Sequence, residues 1–548
     1  MKKEWNILCR NPDTSEDLIS LILKNRGIVN PVHFLKPKEK DFLPYTDLLN
    51  IETAAQIVLK AIKENKRIHV LGDIDVDGIT SLTILYKYLF DFVDNLTFSF
   101  NSGKKHGIEH QDLESYVGKY DLVIAVDSSS SSFESQKFLR DNDIEFVVID
   151  HHELDSEDLK YATIVNCTMG NYKNPFLSGS AMTFKFIKYI DFLIGATSAD
   201  EFWDLATVGL IGDMMDISEL SPENRFICSK GFSSLKNIGL KQILGAYAFN
   251  SIAVSFSVAP LCNAAVRLNK VGVAVELFME SDEKKCRKLI HELEELKQIQ
   301  NIQKDTLVSK LDSIISLNKL DDKKVIGLLV EENIGDNKAD IVGLTANVLV
   351  SKYEKIFIIV HKTDKPGELR GSCRCTGIDN FKDIVNQTGL VNFASGHQPA
   401  FGIGLKEYNW EKLIIALNKA LENIELKITS AADIILKPDE LTTSLIKKIE
   451  YVNMISGNGF KPIQVVIEDL EARDVTTMKY DKHSKFEAGG IDFIQWNSRL
   501  SSKLVHEKGI YKIIKVIGTP GISSFKGKKS RQMIISDYVL EAHLEFFR

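Results

Sequence analysis

The sequence predicts an α/β protein that contains a parallel-sheet domain, a long connecting helix, a smaller α/β domain and a C-terminal β-barrel. Three observations predict this fold class. Short apolar runs alternate with amphipathic stretches over the first two hundred residues, a long charged stretch follows, and strand-like segments with Gly-rich or polar turns come last. Because 548 residues are too many for one core, we expect about three or four domains.

The first alternation predicts the parallel sheet. Continuous apolar strands such as LVIAV suit a sheet that is covered on both faces. Four apolar runs predict strands and two amphipathic stretches between them predict helices: strands at 67–72, 96–100, 121–126 and 145–149, and helices at 80–93 and 131–142.

The second half of the chain changes character twice. Residues 272–318 are highly charged, and their apolar positions do not follow a strict heptad. We therefore expect one or two long helices that link two lobes, and not a coiled coil. Apolar runs at 323–332 and 355–362 restart the alternation of strands and helices. From about residue 430, strand-like segments predict a small antiparallel barrel or sheet.

Composition narrows the function classes. The net charge is −7 and the pI about 6.0, which disfavours a protein that coats duplex DNA but allows a local cationic groove. Residues 501–548 hold nine Lys and Arg against four Asp and Glu. We find no apolar stretch long enough for a membrane span and no secretory signal, and seven scattered cysteines suggest a reducing compartment. These features predict a cytoplasmic protein that does not enter a membrane.

Acidic and imidazole side chains follow successive predicted strands. GDIDVDGIT (72–80) places three aspartates after the first strand, LVIAV runs into a fourth, and FVVI runs into Asp-His-His. In a parallel sheet, ligands bind beyond the carboxyl ends of the strands. The candidate residues are Asp73, Asp75, Asp77, Asp127, Asp150, His151 and His152, with Asp213 at the end of the helix-like run 204–217.

This set of residue types points to divalent metal ions. A single Asp after a strand is usually a helix N-cap or a turn former. Several carboxylates gathered together repel one another unless a cation lies among them, and carboxylates with one or two imidazoles suit Mn²⁺ or Mg²⁺. Two such ions, about 3.5–4 Å apart, are a common device for phosphoryl transfer to water.

The motifs resemble those of the DHH phosphoesterase superfamily and, more narrowly, of the RecJ single-strand-specific DNA exonucleases. GDIDVDGITS (72–81), VDSSS (126–130), VIDHH (148–152) and the stretch around Asp213 resemble the four motifs of the first domain. The resemblance continues nearly end to end, through APLCNAAVRLN (259–269), the DHHA1-like segments RGSCRCTGID (370–379) and ASGHQPAFGIGL (394–405), and the OB-like segments ISGNGFKP (455–462) and VIGTPGISSFKGKKSRQMIISD (516–537).

The resemblance implies a role for each matching residue. Asp75 and Asp77 would bind separate metals, Asp73 would complete the first site, and Asp127 would bridge both ions. The second ion would be held by His151 and Asp213, while Asp150 would orient the site and His152 would face the scissile phosphate. The expected contacts with substrate are Asn263, Arg267, Arg374 and His397. This chain departs from the family pattern at Ser128, Ser129 and Ser130, where a small residue and Gly are usual.

The resemblance therefore implies a single-stranded-DNA-specific 5′→3′ exonuclease that uses two divalent metals, Mn²⁺ or Mg²⁺, in DNA recombination and repair. Two alternatives stay open: an oligonucleotide or cyclic-dinucleotide phosphodiesterase, and a non-catalytic replication or repair scaffold. We expect a monomer whose partner is single-stranded DNA, with a helicase or single-strand-binding protein as a further partner. Lys104, Lys105 and His106 either line the entrance for the strand or form an ordinary solvated loop. The expected segments are an N-terminal segment (1–50), a DHH domain (51–270), connecting helices (271–320), a DHHA1 domain (321–427) and an OB-like domain (428–548).

Overall fold

A computed structural model of the chain describes residues 2–13, 17–101, 106–154, 160–331, 338–478, 483–496, 512–525 and 528–540. The chain divides into two compact units. The parallel-sheet unit comprises 28–297 and 452–462, and the barrel unit comprises 1–27, 298–451 and 463–548. The five segment boundaries expected from the sequence stay a prediction.

The strands in chain order are β1 (Lys2–Cys9), β2 (Ile68–Gly72), β3 (Leu96–Phe100), β4 (Leu122–Val126), β5 (Glu145–Asp150), β6 (Thr163–Asn166), β7 (Val325–Val330), β8 (Ile356–Lys362), β9 (Glu368–Arg374), β10 (Phe393–His397), β11 (Ala400–Lys406), β12 (Lys427–Ile435), β13 (Val465–Met478), β14 (His483–Ala488), β15 (Ile491–Gln495), β16 (Lys512–Phe525) and β17 (Lys528–Leu540).

The α-helices are α1 (Leu18–Asn25), α2 (Pro31–Leu35), α3 (Ile51–Lys63), α4 (Val76–Phe90), α5 (Phe133–Asp141), α6 (Gly179–Ile194), α7 (Trp203–Gly212), α8 (Pro222–Phe232), α9 (Ile238–Leu244), α10 (Ser251–Ala253), α11 (Ala259–Arg267), α12 (Val271–Met279), α13 (Glu283–Leu317), α14 (Lys338–Tyr353), α15 (Phe381–Gln387), α16 (Trp410–Ala420) and α17 (Thr443–Asn453). The charged stretch 272–318 thus forms α12 and the long α13. Within the described residues, no helix has both the length and the apolar character that crossing a membrane requires.

The parallel-sheet unit is built on a five-stranded sheet of order β3-β2-β4-β5-β6, in which every neighbouring pair is parallel. Every residue of β2 and β4 is buried. Because successive side chains of a strand point to opposite faces, this burial means that the sheet is covered on both sides. The predicted α/β class is confirmed, and each of the four predicted strands is present.

The barrel unit contains a mixed sheet and a barrel. The mixed sheet has the order β10-β11-β9-β8-β7, and only the β7–β8 pair is parallel. In the barrel, β13-β14-β15-β17-β16 are hydrogen-bonded in that order, and β16 pairs back to β13 to close the ring. The predicted C-terminal barrel is confirmed, although its β15–β17 pair is parallel.

An N-terminal strand joins the barrel sheet. β1 pairs in parallel with β12, and β12 pairs in parallel with β13. Arg26 adds an ion pair to Asp433, with 2.6 Å between Nε and Oδ1. The sequence analysis did not predict that the first residues of the chain belong to the same unit as the barrel.

Candidate metal centre

Three carboxylates come together because three strands end in one row. The register aligns Gly72 of β2 with Val126 of β4, and Val126 with Ile149 of β5. The next residue of each strand is an aspartate, so Asp73, Asp127 and Asp150 leave the same edge of the sheet. All three are almost completely buried, with 1–2% of their surface exposed.

The first helix after the sheet supplies two more carboxylates. Asp75 is the N-cap of α4 and accepts a hydrogen bond from the Gly78 backbone N–H, with 2.9 Å between N and Oδ1. Asp77 lies in the first turn of the same helix. Its two oxygens accept hydrogen bonds from the backbone N–H groups of Gly179 (2.6 Å) and Ser180 (3.0 Å), at the N-terminus of α6. The first N–H groups of a helix have no partner within the helix, so this contact satisfies two of them and fixes the direction of the Asp77 carboxylate.

His151 lies among three carboxylates. Its Nε2 is 3.2 Å from Asp127 Oδ1, 3.5 Å from Asp213 Oδ2 and 3.9 Å from Asp77 Oδ2. Burial lowers the pKa of His151, although the charge of Asp77 opposes this shift. A neutral imidazole is the form that binds a metal ion.

Asp150 holds the other histidine. Its Oδ1 accepts hydrogen bonds from the His151 backbone N–H (2.8 Å) and from His152 Nδ1 (2.7 Å), and its Oδ2 accepts one from the Ser130 backbone N–H (3.2 Å). Burial is the largest single influence and would raise the pKa of Asp150, but the hydrogen bond and charge of His152, the charge of His151 and the hydrogen bond from Ser130 together lower that pKa. The same bond raises the pKa of His152 to about 9.

The ligand atoms form three overlapping groups in which all atoms lie within 4.8 Å of one another. One group is Asp73, Asp75 and Asp127, the second is Asp77, His151 and Asp213, and the third is Asp127, Asp150, His151 and His152. The first two groups are the two sets that the sequence analysis expected to bind separate ions, with Asp127 beside both. The roles of these residues as ligands stay a prediction, but the structure brings every one of them into one site.

The carboxylates destabilise one another. Burial, followed by the charges of Asp77 and Asp75, raises the pKa of Asp127 well above its ordinary value and raises the pKa of Asp213 to about 8. Burial and the charge of Asp77 also raise the pKa of Asp75 to about 6. Such shifts are expected where several acidic groups share a buried space without a cation.

Two buried oxygens show that the residues present fit a divalent ion. Asp73 Oδ1 and Asp127 Oδ1 have no hydrogen-bond partner among the described residues. Burying a charged oxygen without a partner is costly, and a cation that accepts oxygen ligands removes the cost. Oxygens with one imidazole are a suitable donor set for Mn²⁺ or Mg²⁺.

Two glycines allow this close packing. A Cβ at Gly179 would lie 2.3 Å from Asp127 Oδ1, and a Cβ at Gly209 would lie 2.1 Å from Asp77 Oδ1. Sequence reasoning missed both positions, as well as the two α6 N–H groups that hold Asp77. Ser178, whose side chain caps α6, was the available signal, since Ser before an apolar stretch marks a helix start.

The expected substrate contacts lie in both units. Asn263 and Arg267 are four positions apart on α11 in the parallel-sheet unit, and both are half-buried. Arg374 and His397 lie in the barrel unit at the ends of β9 and β10, where both flank Ala400 of β11 in the register. The structure therefore places Asn263 and Arg267 on one helix, and Arg374 and His397 on one sheet with β11 between their strands. The substrate roles of all four stay a prediction.

The expected entrance loop is partly described. Lys104 and Lys105 lie outside the described residues. His106 is described, and its Nδ1 is 2.6 Å from Asp73 Oδ2. Sequence reasoning placed His106 at the entrance or in a solvated loop and did not predict its contact with a candidate ligand.

Comparison with known proteins identifies the class. The profile of the DHH family N-terminal domain matches residues 67–210, and that of the RecJ OB domain matches residues 432–537. A relative in Bacillus subtilis, "Putative SPbeta prophage-derived single-strand DNA-specific exonuclease YorK", is 30% identical over 98% of this chain and 98% of its own length. The single-stranded-DNA-specific exonuclease RecJ of Bacillus subtilis is 25% identical, over 95% of this chain and 67% of its own length.

A solved structure agrees with the fold. The crystal structure of RecJ from Thermus thermophilus in complex with Mn²⁺ matches 99% of this chain and 80% of that chain, with a TM-score of 0.76 and 20% identity. The chain thus joins a DHH domain to an OB-type barrel, and it belongs to the family of RecJ-like single-strand-DNA-specific exonucleases.

Proposed function

We propose that this chain is a metal-dependent exonuclease that degrades single-stranded DNA in the 5′→3′ direction and releases nucleoside 5′-phosphates, in DNA recombination and repair. One observation carries the proposal. In a chain of the RecJ-like family, one site brings together every candidate ligand, and the ligand atoms form two groups: Asp127 belongs to the first and lies 3.2 Å from His151 of the second.

The two groups suggest how two ions would be held. Asp73, Asp75 and Asp127 would hold one ion, and Asp77, His151 and Asp213 would hold the other, with Asp127 between them. Mn²⁺ or Mg²⁺, when bound, would neutralise the carboxylates and polarise both the phosphodiester and the water that hydrolyses it. The backbone N–H groups at the start of α6 would hold the Asp77 carboxylate in a fixed direction.

His152 would act on the phosphate. Its side chain is 59% exposed, while its Nδ1 donates a hydrogen bond to the buried Asp150. With the pKa raised to about 9, the ring is protonated at neutral pH, and its exposed Nε2 can donate a hydrogen bond to a phosphate oxygen. Asp150 would orient this ring through its hydrogen bond with Nδ1, as buried carboxylates commonly do for imidazoles in metal sites.

The remaining groups would bind the strand away from the site of hydrolysis. Arg267 and Asn263 would contact the DNA backbone from α11, and Arg374 would grip a phosphate with its planar guanidinium. The closed barrel, with the basic residues Lys515, Lys529 and Arg531 on its strands, would guide single-stranded DNA. Lys503, Lys508, Lys526 and Arg548 of the basic tail lie outside the described residues.

The setting of the activity belongs to the same proposal. We place the protein in the cytoplasm as a monomer, with a helicase or single-strand-binding protein as a further partner. The five segments 1–50, 51–270, 271–320, 321–427 and 428–548 are the proposed functional divisions of the chain.

The test is a digestion panel with Mn²⁺. Single strands labelled at either end, duplex DNA, RNA and a cyclic dinucleotide are incubated with the full chain, and the products are resolved by length. We expect label to leave a 5′-labelled single strand as mononucleotide from the first time points, with duplex DNA resistant. Preferred hydrolysis of the cyclic dinucleotide would instead favour a small-substrate phosphodiesterase, and no hydrolysis of any substrate would favour a scaffold.

A further inference from the structure

The Asp73–His106 contact repeats the arrangement of Asp150 and His152. In both pairs, Nδ1 of a largely exposed imidazole contacts one oxygen of a buried aspartate, at 2.6 Å for His106 and 2.7 Å for His152. The two imidazole side chains are 60% and 59% exposed, and both carboxylates are almost completely buried. The site therefore has two Asp–His pairs, and the family resemblance gives a role only to the second.

The first pair leaves one carboxylate oxygen available. His106 occupies Asp73 Oδ2, whereas Asp73 Oδ1 is buried and has no hydrogen-bond partner among the described residues. Asp73 also belongs to the group that it forms with Asp75 and Asp127. A hydrogen bond to one oxygen fixes the rotation of a carboxylate, so the His106 contact determines where Oδ1 points.

Two further hydrogen bonds hold the residues that directly follow His106. The backbone N–H of Ile108 donates a hydrogen bond to Ser129 Oγ (3.0 Å), and Asn101 Nδ2 donates one to the Gly107 carbonyl oxygen (2.9 Å). Ser129 has a left-handed backbone with φ of 79°, a conformation that normally favours glycine. The Ser129 hydroxyl accounts for a serine at this strained position, because it links the segment that begins at His106 to the turn after Asp127.

We propose that His106 is a positioning residue for the metal centre: it fixes the Asp73 carboxylate so that Oδ1 serves as a ligand, and Ser129 holds the His106 segment through Ile108. This inference rests on the proposed metal centre. It depends on the direction of one hydrogen bond, because only an Nδ1 that carries hydrogen can donate to a carboxylate. That donor is present in the imidazolium and in the neutral Nδ1–H form.

The experiment measures Mn²⁺ binding to the full chain by isothermal titration calorimetry, after removal of metal with a chelator. We expect His106→Ala to weaken binding about 10-fold, the size typical for loss of a group that orients a ligand. His106→Asn should stay within about threefold of the unaltered chain, since its amide N–H₂ can occupy the position of Nδ1. His106→Gln should resemble His106→Ala, because its amide lies one carbon further out.

The matched control is His110→Ala. His110 is an exposed histidine of the same segment, and no side-chain hydrogen bond is found for it in the described part of the chain. Unchanged Mn²⁺ binding is expected. Thermal unfolding in chelator establishes that every variant is folded before titration.

A double substitution tests the link to Ser129. We expect Ser129→Ala to weaken Mn²⁺ binding less than His106→Ala, and to add nothing in a chain that already carries His106→Ala, since both act through one contact. Wild-type affinity in His106→Ala, equal loss in His106→Ala and His106→Asn, or additive effects of the two substitutions would overturn the inference. If the unaltered chain itself bound no Mn²⁺, the proposed metal centre would fail, and the inference would fail with it.

Discussion

The two five-stranded sheets of this protein differ in the functional residues that they carry. One carries acidic residues, the other carries basic residues, and the two sets differ in burial. The parallel sheet gathers Asp73, Asp127 and Asp150 at one buried edge, where burial and the neighbouring carboxylates raise the pKa of Asp127 well above its ordinary value. The mixed sheet carries Arg374 and His397 two strands apart, about 10 Å from one another, with Arg374 half-buried and His397 exposed. The acidic group is unstable by itself and needs a cation, whereas the basic group is stable without a ligand.

This difference predicts opposite effects on stability. Loss of a carboxylate should relieve repulsion in the metal-free protein even as it removes function, because buried like charges disfavour the folded state. Loss of Arg374 relieves nothing, since its guanidinium already donates hydrogen bonds to Asn347 Oδ1 (2.8 Å) and to the Cys373 carbonyl oxygen (2.8 Å).

The largest effect is expected for Asp127→Asn. Asn matches Asp in size, so it fits beside Gly179, and it tolerates the left-handed backbone of this position, where φ is 61°. We expect nuclease activity to fall by at least about 100-fold, because both groups of ligands include or border this residue. In chelator, the same variant should unfold at a higher temperature than the unaltered chain.

Two assays decide the outcome: digestion of a 5′-labelled single strand with Mn²⁺, and thermal unfolding in chelator. Asp121→Asn is the control, since Asp121 lies at the opposite end of β4 and is ion-paired to Arg67. An Asp127→Asn protein that digests DNA within about threefold of the normal rate would refute the assignment of Asp127 as the shared ligand.

A smaller effect is expected for Arg374→Ala. If Arg374 grips a phosphate, KM for single-stranded DNA should rise about 10-fold, while kcat changes by less than about threefold. Arg374→Lys should recover only part of the loss, because a lysine keeps the charge without the planar fork. The unfolding temperature in chelator should not rise, in contrast to Asp127→Asn.

Arg10→Ala, an exposed arginine just after β1, is the charge-matched control in the same unit. An equal rise of KM in Arg10→Ala would show that general positive charge, and not a phosphate site at Arg374, accounts for the effect. A fall in kcat as large as the rise in KM would place Arg374 at the reacting phosphate.

Local pattern predicted the strand ends and the acidic residues beyond them. An apolar run of five residues indicates a strand that is buried on both faces of its sheet. The first residue after such a strand lies at the carboxyl edge of the sheet, and this does not depend on the rest of the fold. For this reason Asp73, Asp127 and Asp150 could be placed in one site from the sequence. Asp213 is a candidate from its place near the end of the helix-like run 204–217, and the resemblance adds its expected role as a ligand.

Contacts between distant segments could not be predicted in this way. β1 pairs with β12, more than four hundred residues further along the chain, and the sequence of neither strand indicates which strand it will pair with. The same holds for the contact of Asp77 with Gly179 and for that of Asp73 with His106. Periodicity reports whether a side chain is buried, while these contacts depend on which segment covers it.

The smallest effect concerns pH and sharpens the contrast between the two sheets. In metal-free protein, Asp213 has its pKa raised to about 8 and His152 has its pKa raised to about 9, so both bind protons more tightly in the folded state than in the unfolded state. Stability from such groups is present at low pH and is lost as pH rises through the folded pKa. The pKa of His151 is lowered, so its contribution to stability rises with pH instead. This rise is complete above about pH 6.5, the ordinary pKa of histidine.

The metal-free chain should therefore unfold at lower temperature at about pH 8.5 than at about pH 7. Saturating Mn²⁺ should abolish most of this fall, because bound cations keep the carboxylates ionised. Scanning calorimetry in chelator and in Mn²⁺ measures both slopes. Arg374→Ala should keep the same pH dependence as the unaltered chain, and Asp213→Asn should reduce it. A pH dependence that is unaffected by both Mn²⁺ and Asp213→Asn would mean that the acidic edge of the parallel sheet does not govern it.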